Sequence, residues 1–143
     1  MGQPSWREIK KLDVPQSNMA WTPALDFLTP GKLYRITVDP AKQWTPESSA
    51  NPCNANGDAT LTRSSEVVVN TAAIGALIAK VGGSTADLKP DATKVILFSA
   101  GSHCVFSVTE ATKAGPLYLG INDVPNSQTK VKGTLQVLIE ESL

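Results

Sequence analysis

The chain has 143 residues, 41% of them hydrophobic, and its 13 basic and 13 acidic side chains leave no net charge. A chain of this length buries roughly two thirds of its unfolded surface, enough to fold as one domain spanning residues 1–143 without a metal or disulfide to hold it. Balanced charge argues against nucleic acid as a partner, since phosphate neutralisation dominates that kind of affinity, and no apolar run approaches the ~20 residues of a membrane span.

Taken in chain order, Trp6 to Leu12 and Trp21 to Phe27 read as weak strands. The turn Thr29-Pro30-Gly31 leads into a clear one, Leu33 to Val38, where Tyr34, Ile36 and Val38 alternate with Leu33, Arg35 and Thr37. Asp39 to Arg63 is broken by prolines and asparagines with little apolar periodicity, which predicts a long irregular loop. Loops of that length in a small domain are usually functional or disordered. Ser65 to Asn70 is a further weak strand, and Gly75 to Val81 a strong one, although Ala72, Ala73, Ala76, Leu77, Ala79 and Lys80 offer a short helical turn as a competing reading. Gly82-Gly83-Ser84, with neither the lysine nor the spacing of a phosphate loop, reads as a hairpin or bulge.

Lys89-Pro90-Asp91 marks another turn, followed by strands at Val95 to Ser99 and Cys104 to Val108, and then by the turn Ala114-Gly115-Pro116. The last two strands, Pro116 to Asn122 and Gly133 to Glu140, flank a loop and read as a C-terminal hairpin. Short strands separated by turn residues, with no long helix, predict an all-β fold, an antiparallel β-sandwich.

Catalytic chemistry finds few parts here. The only histidine, His103, is placed on the solvent side of its strand, opposite Cys104, Phe106 and Val108. No zinc-ligand spacing, no Gly-x-Ser-x-Gly elbow and no pair of facing carboxylates is present, and Glu140-Glu141 falls at an expected frayed end. The chain therefore reads as a non-enzyme. Polar N-terminal residues without an apolar signal core predict a soluble product, cytoplasmic or exported without a classical signal peptide, with Cys53 and Cys104 as free thiols. Lys10, Lys11, Lys113, Lys130 and Lys132 are too dispersed for a nucleic-acid groove and read as solvated charges.

The oxygen-rich stretch Asp123, Asn126, Ser127, Gln128, Thr129 is the first place to seek a ligand, a cation or a polyol, and the long loop is the second. Two readings stay open for Asp123, a ligand contact through charge-assisted bonds or an Asx cap on the turn before Pro125. Two also stay open for Trp44, stacking on a pyranose ring or covering one end of the sandwich.

Pro116-Leu117-Tyr118-Leu119-Gly120-Ile121-Asn122-Asp123-Val124-Pro125 resembles the strand ending in Asn-Asp-Val-Pro of the PA-I type of galactose-binding bacterial lectins. Trp6, Thr29-Pro30-Gly31, Gly75-Ala76-Leu77-Ile78-Ala79-Lys80-Val81-Gly82 and Val105-Phe106-Ser107 are further echoes in the same order. The resemblance implies a calcium-dependent jelly-roll sandwich that binds carbohydrate or glycoconjugates, galactosides in particular, and a homo-oligomer is the common outcome for such sandwiches. It implies that Asp123 touches both metal and sugar and that Ser127 is a metal ligand; Val124 and Lys130 in the same loop and Trp44 and Asn51 in the long loop are the further candidate ligand-binding positions.

The chain departs from the family where a consecutive Asn-Asn pair is expected and Lys130 and Val131 stand instead. Calcium takes about six to eight oxygens, so an ammonium and an isopropyl group there weaken the site. Lys130 then becomes a candidate substitute for the ion, paired with Asp123. Asn51-Pro52-Cys53-Asn54 is the nearest counterpart of the family's His-Pro-Asp-Gln element. Two functions follow from this departure: a working lectin, or a degenerate lectin scaffold turned to protein-protein contact or homo-oligomeric assembly.

Overall fold

Strand alternation drives the architecture, because each strand with one apolar face needs another such face to cover it. The computed structural model describes residues 5–16, 19–49, 51–60, 67–86, 88, 90–91, 93–110 and 114–143. Its strands are β1 (Trp6–Val14), β2 (Thr22–Leu25), β3 (Leu33–Val38), β4 (Asn56–Asp58), β5 (Ile74–Val81), β6 (Ile96–Ser99), β7 (His103–Ser107), β8 (Leu117–Ile121) and β9 (Leu135–Ser142). One sheet has the order β1-β9-β3-β7; the other runs β2-β8-β5-β4, with β6 also paired to β5. Every pairing is antiparallel. The fold is the all-β sandwich that the alternation predicts.

The core lies between the sheets. Tyr34, Ile36 and Val38 of β3 and Leu135, Val137 and Ile139 of β9 face Leu117, Leu119 and Ile121 of β8 and Leu77, Ala79 and Val81 of β5. Each fully buried Leu or Ile contributes about 1.5–3 kcal/mol of transfer free energy. A second, smaller cluster covers the outer face of the five-stranded sheet, with Ala20, Trp21, Val68 and Ile78 at its centre. Burial on both faces explains why β5 has no polar alternation, being buried at all eight positions. Lys80 is held in that outer cluster, its Nζ 4.7 Å from the Trp21 ring and 4.9 Å from the Tyr118 ring, donating to Ser84 O at 2.5 Å.

The strand reading at Gly75 to Val81 holds over its helical alternative, and three expectations are corrected. The helix-forming residues from Ala72 to Lys80 enter β5 or its approach, because burial against two clusters outweighs a weak local propensity. Residues 67–70 form a bend and turn rather than a strand, while Ser65 and Glu66 lie outside the described residues. Lys113 does too.

The C-terminal pair is not a hairpin: β8 pairs with β2 and β5, β9 with β1 and β3, so the loop between them crosses from one sheet to the other. Period-two alternation reports which side chains share a face but not which strand lies alongside. Glu140 and Glu141 are not frayed either. Arg35 donates to both Glu140 oxygens at 2.8 and 2.9 Å, and Glu141 pairs with Arg7 and, at 3.8 Å, with Lys32. Both carboxyls are held below their ordinary range, chiefly by those guanidinium hydrogen bonds.

Candidate functional site

The two segments singled out in the sequence meet at one end of the sandwich. Residues 39–58 and residues 122–134 are joined by an antiparallel bridge, in which Thr45 N donates to Lys132 O at 2.8 Å and Lys132 N to Thr45 O at 2.9 Å. Within the long segment, Trp44 and Cys53 make a second bridge with backbone bonds of 3.0 and 2.9 Å. What reads as an irregular loop is therefore a folded-back strap, closed by β4 at its end.

Gly75, at the start of β5, anchors this strap. Its carbonyl accepts from Trp44 Nε1 at 2.8 Å and from Cys53 Sγ at 3.9 Å, and its amide donates to Asn122 O at 2.8 Å. Its φ of +89 and the closeness of Cys53 leave no room for a side chain: a Cβ there meets Sγ at 2.5 Å. Trp44 is 1% exposed, so it covers the end of the core and presents no ring face to a sugar. Burial, together with the charge of Asp58, pushes the Cys53 thiol up to about 11, and burial raises Cys104 as well. Both cysteines are free thiols.

Asp123 is fully buried. Its Oδ1 accepts from Ser48 Oγ in a short hydrogen bond and from the Val124 amide at 2.8 Å, and its Oδ2 accepts from the Ser48 amide at 3.3 Å. The side chain both caps its own turn and ties that turn to the strap. Next to it, Asn122 is buried with its amide fixed on the 69–73 segment, accepting from Val69 N and donating to Val69, Ala72 and Ala73 carbonyls at 2.9–3.1 Å. Ser127 begins a short 3-10 turn, Ser127–Lys130, preceded by Asn126 at φ 77, a conformation Asn tolerates better than most residues. Gln128 points inward and donates to Ile121 O at 3.2 Å, with its Oε1 buried and without a partner among the described residues.

Lys130 does not reach Asp123. Its Nζ sits 3.8 Å from Glu47 Oε1, on the outer side of the strap. Thr45, Glu47, Lys130 and Lys132 line a cleft of about 180 Å³ there. Gln43 and Cys53, the sequence neighbour and bridge partner of Trp44, belong to a wider, open depression of about 370 Å³, whose lining also includes Asn51, Asn54, Asp58 and Thr60. Asp58 Oδ1 accepts from the Thr60 amide at 3.0 Å and from its hydroxyl at 2.5 Å, which fixes that carboxylate.

Of the positions named from sequence, Asp123, Val124, Ser127 and Lys130 thus share the crossing loop, and Trp44 and Asn51 the strap beside it. Ser48, Asn122 and Asp58 were not singled out. No local motif marks Ser48, whose partner is 75 residues away.

The donor set does not suit calcium. Three protein donors already occupy the Asp123 carboxylate, where calcium needs oxygens free to turn to it. Among the described residues each cleft contains a single carboxylate, Glu47 in one and Asp58 in the other. Compared with known protein families and with characterised proteins, the chain matches no family model and no curated sequence.

Proposed function

We propose that the chain is a non-catalytic carbohydrate-binding module of lectin type, which takes its ligand at the strap end of the sandwich without calcium. The open depression beside Trp44 carries this reading. Two amide side chains of asparagine, one of glutamine, a hydroxyl and a fixed carboxylate converge on it, and such groups match the mixed donor and acceptor hydroxyls of a sugar. The resemblance to galactose-binding lectins supports the same end of the fold and makes galactosides the first class to test. A glycan array probed with and without chelator tests it. Saturable retention of a glycan set, unchanged by chelator and lost in Asp58→Ala, is the expected result; no retained glycan in either condition overturns it.

A second reading, assembly through a sheet edge, has one observation in its favour. The edge strand β7 carries no acidic or lysine side chain and leaves Val105 47% exposed, whereas the opposite edge, β1, is studded with charges of the kind that block strand addition.

A further inference from the structure

The strap places its side chains alternately. Trp44 and Pro46 are buried, while Gln43, Thr45 and Glu47 face outward. Gln43 belongs to the wide depression and Thr45 and Glu47 to the narrow cleft, so one extended rim joins the two. Outward residues two apart on an extended segment are spaced by roughly 6.6 Å, and the rim is therefore of the length of a short oligosaccharide. Across from it, Lys130 and Lys132 both line the narrow cleft. Glu47 faces Lys130 at 3.8 Å. Lys132 has no acidic partner among the described residues, and among those residues the narrow cleft carries two ammonium groups against one carboxylate.

We infer that the two clefts form one groove, and that its ligand is an acidic oligosaccharide whose carboxylate or sulfate group is held between Lys130 and Lys132 while a neutral ring occupies the depression beside Asp58. This rests on the carbohydrate-binding reading and narrows its ligand class. The anion takes charge-assisted hydrogen bonds from both ammonium groups, with the Thr45 hydroxyl as a third donor. It also relieves the excess positive charge of the cleft. The wide depression supplies shape and hydroxyl recognition, and the narrow cleft selects for charge.

The test compares affinity for three probes of matched length: a neutral galacto-oligosaccharide, a uronate-containing oligosaccharide and a sulfated one. Preference for either acidic probe over the neutral one by about tenfold or more is expected, at the strength of charge-assisted bonds, with the preference shrinking as salt is raised. Comparison of the two acidic arms identifies the group. In Lys130→Gln/Lys132→Gln the preference disappears while weak binding of the neutral probe remains; in Lys132→Arg, which keeps the charge, it persists. Both lysines are exposed, and an unchanged melting temperature checks that the variants fold. Equal binding of all three probes, or an acidic preference that survives in the double glutamine variant, overturns the anion site and leaves the lectin reading standing. Failure to bind any of the three removes both.

Discussion

At the residue scale the buried carboxylate of Asp123 is better understood as a pin than as a ligand. Its three hydrogen bonds join the crossing loop to the strap at Ser48, and removing it leaves the Ser48 and Val124 amides without an acceptor. Asp123→Ala is therefore expected to lower stability by about 2 kcal/mol, the scale of hydrogen bonds to a charged group. Ser48→Ala costs less, and a double-mutant cycle in urea gives a coupling of about 0.5 kcal/mol or more between the two positions. Because that carboxylate is already occupied, millimolar calcium leaves the melting temperature where it was; a calcium-dependent rise means a binding linkage and contradicts the pin. The importance of Asp123 was legible in the sequence, since it ends a well-patterned strand beside a polar loop. Its partner was not, because hydrogen bonds across 75 residues leave no periodic trace. Lys130 illustrates the same limit: its charge was evident, but its choice of Glu47 over Asp123 depends on which side of the strap it emerges.

At the element scale the binding end is only as rigid as the attachment of the strap to β5. Trp44 Nε1 and the Gly75 carbonyl form the central bond of that attachment. Trp44→Phe keeps most of the apolar contact and removes the donor, with an expected cost of about 1–3 kcal/mol and a parallel weakening of glycan retention, read by urea denaturation and the array together. The buried Cys53 thiol adds a pH dependence. Its folded value of about 11 lies above the ordinary thiol value of about 8.5, so its contribution is complete below that ordinary value and is lost as pH rises toward the folded one.

The β9 carboxylates behave in the opposite sense. Glu140 and Glu141 are held low by Arg35 and Arg7, so their ion pairs contribute fully above the unfolded carboxyl value of about 4.3 and fade as pH falls through the lowered folded values. The stability gap between the native chain and Arg35→Gln should accordingly narrow as urea midpoints are taken from about pH 7 to about pH 3. Strands such as Leu33–Val38 were readable to the residue, because one wet face and one dry face produce strict alternation. β5 was ambiguous because both its faces are dry, and β4 was invisible because three residues, Asn56–Asp58, carry no period at all.

At the scale of the whole molecule the question is self-association, and the two edges of the four-stranded sheet make it a matter of physical argument. Net charge is zero, so no long-range repulsion keeps copies apart. The β1 edge is protected by Arg7, Glu8, Lys10, Lys11 and Asp13 and by a register shift between Glu8 and Lys10, features that discourage strand addition. The β7 edge, His103–Ser107, has neither device and adds an exposed Val105. An isologous dimer through β7 pairs the strand with its own copy across a two-fold axis, a closed arrangement that consumes the free edge. Five residues of edge pairing bury little by themselves. A stable dimer must clear about 1,000 Å² of total area, so Val105 and the neighbouring exposed Leu33 of β3 must enter the contact as well. Sedimentation from about 10 μM to about 1 mM should then show a concentration-dependent dimer, and Val105→Lys, which places a charge in the pairing strand, should return it to monomer with glycan retention intact. A chain that stays monomeric across that range removes the assembly reading and leaves the strap end, at the interface of the two sheets' connecting loops, as the surface on which function rests.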